Sequence, residues 1–391
     1  MAASVTLGLE NLKQHPLSAL QGTRLGLLAN PASVDSHFTH ALWVLQDLFP
    51  GQLCALFSPQ HGFYAEKQDN MIESHHTMEP ALNIPIYSLY SHTRVPVPQM
   101  FADIDTLVVD IQDVGTRVYT FIYTISFCME LAAKMNKKVV VLDRPNPIGG
   151  CQVEGNILQE QAASFVGRFS IPMRHGMTVG EICRLFNTQF HLGCDLTIVP
   201  MTGWKRSMYW QDTGLAWIPP SPNLPTPLSC MVYPGQVIFE GTNISEGRGT
   251  TLPFELFGAP FMDTARMAPK LNQTISGAWF RPVCFQPTSG KWQDQVCKGF
   301  HIHVTDKEIF TPYAASLTAL QMIIRYHPDA FAFKQPPYEY EYERLPMDLI
   351  LGDQHIRKGL SALEDIKTLE ADWQPELSAF KAIARTNYLY D

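Results

Sequence analysis

Thr106-Leu-Val-Val-Asp110-Ile-Gln112-Asp113-Val-Gly-Thr-Arg117-Val-Tyr119 is an apolar β-type run that breaks into a polar, glycine-punctuated segment. The arrangement recurs where Lys138-Val-Val-Val-Leu142 runs into Asp143-Arg144-Pro-Asn146-Pro. Short apolar runs of this kind read as buried parallel strands. In open α/β sheets, ligands bind in the crevice outside the carboxyl ends of the strands. Both polar segments are therefore candidates for a site of sugar or phosphate size at the rim of a sheet.

Working outward, further strands are expected at Arg24–Ala29, Leu53–Phe57, Ile84–Leu89 and Leu196–Val199, with helices at His37–Leu48, Tyr119–Met135 and Thr178–Phe190. This alternation predicts a βα-type parallel sheet. Thr178-Val-Gly-Glu181 has the form of a capping box and sets the start of its helix. The texture changes at Ile218-Pro-Pro-Ser-Pro-Asn-Leu-Pro-Thr-Pro227, which cannot form regular structure. Two domains are expected from the length, residues 1–230 and 231–391. The second has one alternating strand, Gly299–Thr305, a helix at Pro312–Tyr326 and a polar helical tail, and reads as a smaller α+β domain.

The net charge of −8, with Lys and Arg scattered, argues against a nucleic-acid groove or an anionic membrane surface. No apolar stretch is long enough to span a bilayer. The first residues carry no basic, apolar leader pattern, so the chain reads as cytoplasmic; a chain whose leader had been removed would read the same and be periplasmic or secreted. The cysteines are dispersed, with no Cys-x-x-Cys, and are expected to be buried free thiols.

Several groups carry candidate chemistry. Gln60 and His61 follow the second strand, where a histidine can shuttle protons or donate to a hydroxyl. Asp110, Gln112, Asp113, Arg117 and Tyr119 put carboxylates, an amide and a guanidinium within one turn of a strand end, as sugar hydroxyls require. The structural alternative is that Asp113 or Thr116 caps the next helix and Arg117 pairs internally. Arg144, stiffened by two prolines, suits a ligand carboxylate or phosphate or an internal acid. His175 lies before the capped helix, as a ligand group or a core histidine. Glu240-Gly-Thr-Asn243-Ile-Ser-Glu246-Gly-Arg248-Gly is the densest polar loop, better suited to clamp a sugar or carboxylate than to act as a P-loop. His301 and His303 share one strand face, with no partner acid expected nearby and no metal expected.

At these motifs the chain resembles the NamZ-type exo-β-N-acetylmuramidases. The resemblance runs from Leu27-Leu-Ala-Asn30-Pro through Tyr87-Ser-Leu-Tyr90, Asp110 to Arg117, Leu142 to Pro147, Arg174-His-Gly-Met-Thr178, Pro220-Ser-Pro-Asn223 and Glu240 to Thr251. It implies a Rossmann-like, parallel-sheet N-terminal domain holding the active site and a smaller C-terminal domain closing a cleft over it. It also implies release of N-acetylmuramic acid from the non-reducing end of peptidoglycan fragments, without cofactor or metal. The substrate is then a small molecule or oligosaccharide, with Asn30, Asp110, Gln112, Arg117, Tyr119, Asp143, Arg144, Asn146, His175, Asn223, Glu240, Asn243, Glu246 and Arg248 as binding candidates. The family's proposed acid is the Glu of a Pro-Glu-His-Gly motif, and this chain has Pro59-Gln60-His61-Gly62. Loss of a general acid costs roughly 10² to 10⁴ in rate, so Asp113 or Glu66, in the loop running to Glu73, is expected to take acid/base roles beside Gln60 and His61. The alternative is a muropeptide or sugar-acid binding protein that has lost hydrolysis. A nucleotide or sugar-phosphate enzyme is disfavoured, because Leu28-Ala-Asn-Pro-Ala-Ser33 offers no glycine to admit a pyrophosphate.

Overall fold

The computed structural model describes residues 5–68, 72–91 and 93–391. Within residues 5–226 the elements are α1 (Gly8–Gln14), β1 (Leu25–Ala29), α2 (Ala41–Leu48), β2 (Leu53–Ser58), β3 (Thr77–Glu79), β4 (Ile84–Ser88), β5 (Thr106–Asp110), α3 (Phe121–Lys134), β6 (Lys138–Leu142), β7 (Glu154–Ile157), β8 (Pro172–Arg174), α4 (Val179–Gln189) and β9 (Asp195–Val199). Then follow α5 (Pro227–Gln236), β10 (Leu256–Ala259), α6 (Thr264–Thr274), β11 (Ala278–Phe285), β12 (Cys297–Val304), α7 (Pro312–Tyr326), α8 (Pro346–Leu351), α9 (Gln354–Ala362) and α10 (Ile366–Arg385).

Among the described residues the main sheet has the order β3-β4-β2-β1-β5-β6-β9, parallel except for β3 at its edge. The chain builds outward from β1 in one direction, then returns to the other side of β1 with β5. Every residue of β1 and β5 is buried, and the alternation of their side chains divides two cores. Leu28, Leu107 and Val109 face α3 and α4, whereas Leu25, Leu27 and Val108 face α1 and α2. This two-faced burial is why these strands read as unbroken apolar runs.

The mixed α/β architecture, with a parallel sheet and a second antiparallel one, is the class the sequence predicts. Helix α4 begins with the expected reciprocal cap, Thr178 accepting from Glu181 N and Glu181 accepting from Thr178 N. Helix α2 starts at Ala41 rather than at His37, because His40 accepts from Leu42 N and acts as its cap. The C-terminal part holds three strands in the order β10-β12-β11, not one. Pro282 and Arg281 break the apolar pattern of β11, and β10 is only Leu-Phe-Gly-Ala. Cys151 and Cys284 are exposed, correcting the expectation of uniformly buried thiols, and all eight cysteines are free.

At the carboxyl end of β5, Arg144 forms a two-pronged ion pair with Asp110, the second contact being Nη2 to Oδ2 at 2.8 Å. Both side chains are buried. Removing one member strands the other charge in the interior, at about 3–5 kcal/mol. Arg144→Met is therefore expected to lower the thermal unfolding midpoint by the equivalent of that cost; a loss under about 1 kcal/mol would show that the pair does not hold the strand ends together.

Candidate active site

Most polar residues at the strand ends serve the scaffold. Asn30 donates to Gln112 O, and Gln112 donates to the carbonyls of Asp113 and Pro145. Asp143 accepts from Arg144 N, Thr178 Oγ1, Gly180 N and Tyr390 OH. Asn146 donates to Met177 O and accepts from Ile148 N. Gly115, at φ 78°, lies so close that a Cβ there would stand 2.5 Å from Asn146 Oδ1. Arg117 donates to the carbonyls of Asn156, Ile171, Ile350 and Leu351. It therefore acts as a structural bolt rather than a substrate ligand, and its internal partners are carbonyls rather than an acid. Asn243 is likewise tied to the backbone of Ala330 and Ala332. His175 accepts from Met177 N, and its Nε2 stands 3.6 Å from Asp113 Oδ2. Asp113 accepts from Gly115 N and leaves Oδ1 without a partner among the described residues, but it is not part of the wall of the site.

The site is a small hollow off the carboxyl ends of β2 and β5. Of the predicted residues, Gln60, His61, Tyr119, Asn223, Glu240 and Arg248 line it. Glu66 is exposed, lies against Gly62 and is not part of the wall. Of the rest of its loop, residues 69–71 lie outside the described residues. Asn223 closes the hollow from the proline-rich loop, donating to Gln68 O at 2.8 Å.

The C-terminal half supplies the charged wall. Arg248 donates to Glu240 Oε1 at 2.7 Å and lies 3.4 Å from Glu246, while Glu240 Oε2 accepts from Tyr338 OH at 2.7 Å. Burial opposes the Arg248 cation, but Glu240 and Glu246 outweigh it and raise its pKa. Its Nη1 has no partner among the described residues. Behind it, Lys291 donates to Glu246 at 2.8 Å and to the carbonyls of Phe239 and Ile244. Burial opposes the Glu246 charge too, yet Lys291 and Arg248 hold its carboxyl below the usual range.

The sequence reading missed Tyr338 and Glu339, which follow Pro336-Pro337 and also line the hollow. Their only signal is the Tyr-Glu alternation of residues 338–343 beside two prolines, which resembles a solvated turn. Thr120 was missed as well; it donates to Gln60 Oε1 at 2.9 Å. The expectation that His301 lacks an acid neighbour is also corrected, because Glu255 lies 3.8 Å from its Nε2. Among the described residues no group of three or more His, Cys, Asp and Glu side chains could hold a metal ion, and no helix is long and apolar enough to cross a membrane.

Family models for the N-terminal and C-terminal parts of the exo-β-N-acetylmuramidase NamZ match residues 25–228 and 231–390. The chain belongs to the NamZ family. A NamZ relative from Bacillus subtilis (strain 168), the peptidoglycan β-N-acetylmuramidase NamZ, is 43% identical over 388 residues, covering 99% of this chain and 91% of that protein. Two solved structures of DUF1343 family proteins from Bacteroides fragilis NCTC 9343 are also similar. One is 33% identical with a TM-score of 0.91 over 100% of both chains, the other 28% identical with a TM-score of 0.76 over 99% of both.

His61 differs from its sequence reading in one chemical respect. Its Nδ1 lies 2.8 Å from Lys67 O, which can only accept, so Nδ1 carries the proton and Nε2 of the neutral ring is an acceptor, not a donor. Burial pushes its pKa down to about 4. The folded chain thus binds fewer protons here than the unfolded chain between that value and an ordinary histidine's. Its contribution to stability is present above the unfolded pKa and fades as pH falls through this window. An NMR titration of the imidazole should show a midpoint near 4; an ordinary midpoint near 6.5 would contradict this arrangement.

Proposed function

We propose that this chain is a glycoside hydrolase that releases N-acetylmuramic acid, or a closely related amino sugar, from the non-reducing end of peptidoglycan fragments. The observation that carries this reading is the unpartnered Nη1 of Arg248 in the wall of a hollow otherwise built for hydroxyl and amide groups. What separates N-acetylmuramic acid from N-acetylglucosamine is its lactyl carboxylate, and a fixed guanidinium is the group suited to a planar anion. Neutral His61, Asn223 and Tyr119 offer partners for hydroxyl and acetamido groups. Membership of the NamZ family and the 43% identical B. subtilis relative support the same assignment.

Gln60 motivates a second reading, a sugar-acid binding protein without turnover, since an amide cannot protonate a glycosidic oxygen. Release of para-nitrophenol from its N-acetyl-β-muraminide separates the two. Turnover is expected with the muraminide and not with the N-acetylglucosaminide; calorimetric binding of N-acetylmuramic acid with no release at high protein concentration would leave only the binding reading.

The role of Arg248 is tested within the same assay. Arg248→Lys keeps the charge but loses the fork, and loss of a charge-assisted hydrogen bond of about 1.5–3 kcal/mol should raise KM at least tenfold, with a smaller effect on kcat. An unchanged KM would place the lactyl carboxylate elsewhere.

A further inference from the structure

The hollow contains a second carboxyl group besides that of Glu240. Glu339 is buried, takes no part in an ion pair among the described residues, and lines the hollow beside Gln60. Gln60 Nε2 donates to Glu339 Oε1 at 3.1 Å, and Tyr90 OH donates to Oε2 at 2.5 Å. Thr120 donates to the Gln60 Oε1, and the amide nitrogen of Gln60 points at Glu339. Glu339 and Tyr340 both adopt left-handed backbone angles, φ 46° and 65°. Each costs a non-glycine residue about 1–2 kcal/mol, a cost that persists only where surrounding contacts impose it. Three side chains and a strained backbone thus fix one carboxyl at the place where residue 60 has none to offer. The other carboxylate of the wall, Glu240, is already engaged by Arg248 and Tyr338.

We infer that Glu339 is the proton donor to the leaving oxygen, with Gln60 as its positioning residue. The inference rests on the glycosidase reading above. As the C1–O bond breaks, its electron pair leaves with the aglycone oxygen, which takes the proton of Glu339. Water supplies the hydroxyl that replaces it at C1 and the proton that restores the carboxyl. Burial, with the Glu240 charge adding to it, raises the Glu339 pKa against the hydrogen bonds from Tyr90 and Gln60 and the field of Arg94. A carboxyl so placed keeps its proton at a higher pH than an exposed one does.

Leaving-group dependence distinguishes a proton donor from a residue that merely supports the fold. Methoxide needs protonation to depart from an N-acetyl-β-muraminide, whereas 2,4-dinitrophenolate does not. Glu339→Gln should slow hydrolysis of the methyl glycoside by about 10² to 10⁴ and that of the dinitrophenyl glycoside by less than about tenfold. Glu339→Asp keeps a carboxyl but withdraws it by about one bond, roughly 1.5 Å, and should show the same selective loss, which retains the test if the amide variant does not fold. Equal slowing of both substrates in either folded variant, or unaltered methyl glycoside turnover, overturns the assignment. Failure of the unaltered protein on both substrates would instead defeat the glycosidase reading itself.

Discussion

A guanidinium withdrawn from water must find acceptors for its donors or destabilise the structure by several kcal/mol. Arg117 is fully buried, and burial pulls its pKa down, yet its acceptors are four main-chain carbonyls rather than a carboxylate. Two come from the β7–β8 ribbon and its flank, and two from the end of α8, more than two hundred residues away in the sequence. The loop after β5 is thereby tied at once to the β7–β8 ribbon and to the C-terminal half. Tyr119 and Thr120 stand two and three residues further on, so the wall of the hollow inherits its position from this bolt.

The fold was largely legible, because strands buried on both faces leave continuous apolar runs and capped helices announce their starts. The strand ends β1, β2, β5 and β6 fall within a residue or so of their expected places. Short strands with mixed composition, such as Glu154-Gly-Asn-Ile, could not be seen, since pairing rather than propensity makes them strands. The site was legible in residue type but not in role. A carboxylate that caps a helix, as Asp143 does through Gly180 N, has the same sequence appearance as one that holds a sugar. Glu339 escaped notice for the opposite reason: a glutamate in a Tyr-Glu run reads as solvated, and only the long-range contacts with Gln60 and Tyr90 bury it.

The charges around the hollow form a layered arrangement. Lys291 at the back holds Glu246, Glu246 and Glu240 flank Arg248, and Tyr338 completes Glu240. Two acids and two bases balance within this group, so an incoming anion meets a preformed cation whose surroundings need little rearrangement. Low-dielectric walls, among them Tyr233 and Phe254, strengthen each of these contacts. The neutral imidazole of His61 and the carboxyl of Glu339 lie outside that balance and remain available to hydroxyl groups and to a proton transfer.

The hydrogen bond from Tyr390 to Asp143, 2.6 Å long, has a consequence for how the chain is made. The same phenol accepts from Met201 N at 2.9 Å, so it fills a polar gap between β6 and the segment after β9. Protein synthesis delivers the sheet before this phenol. Until then a buried carboxylate beside the capped start of α4 has a missing donor. The half of the molecule that leaves the ribosome first is thus the half that waits, and its final packing is coupled to elongation reaching residue 390.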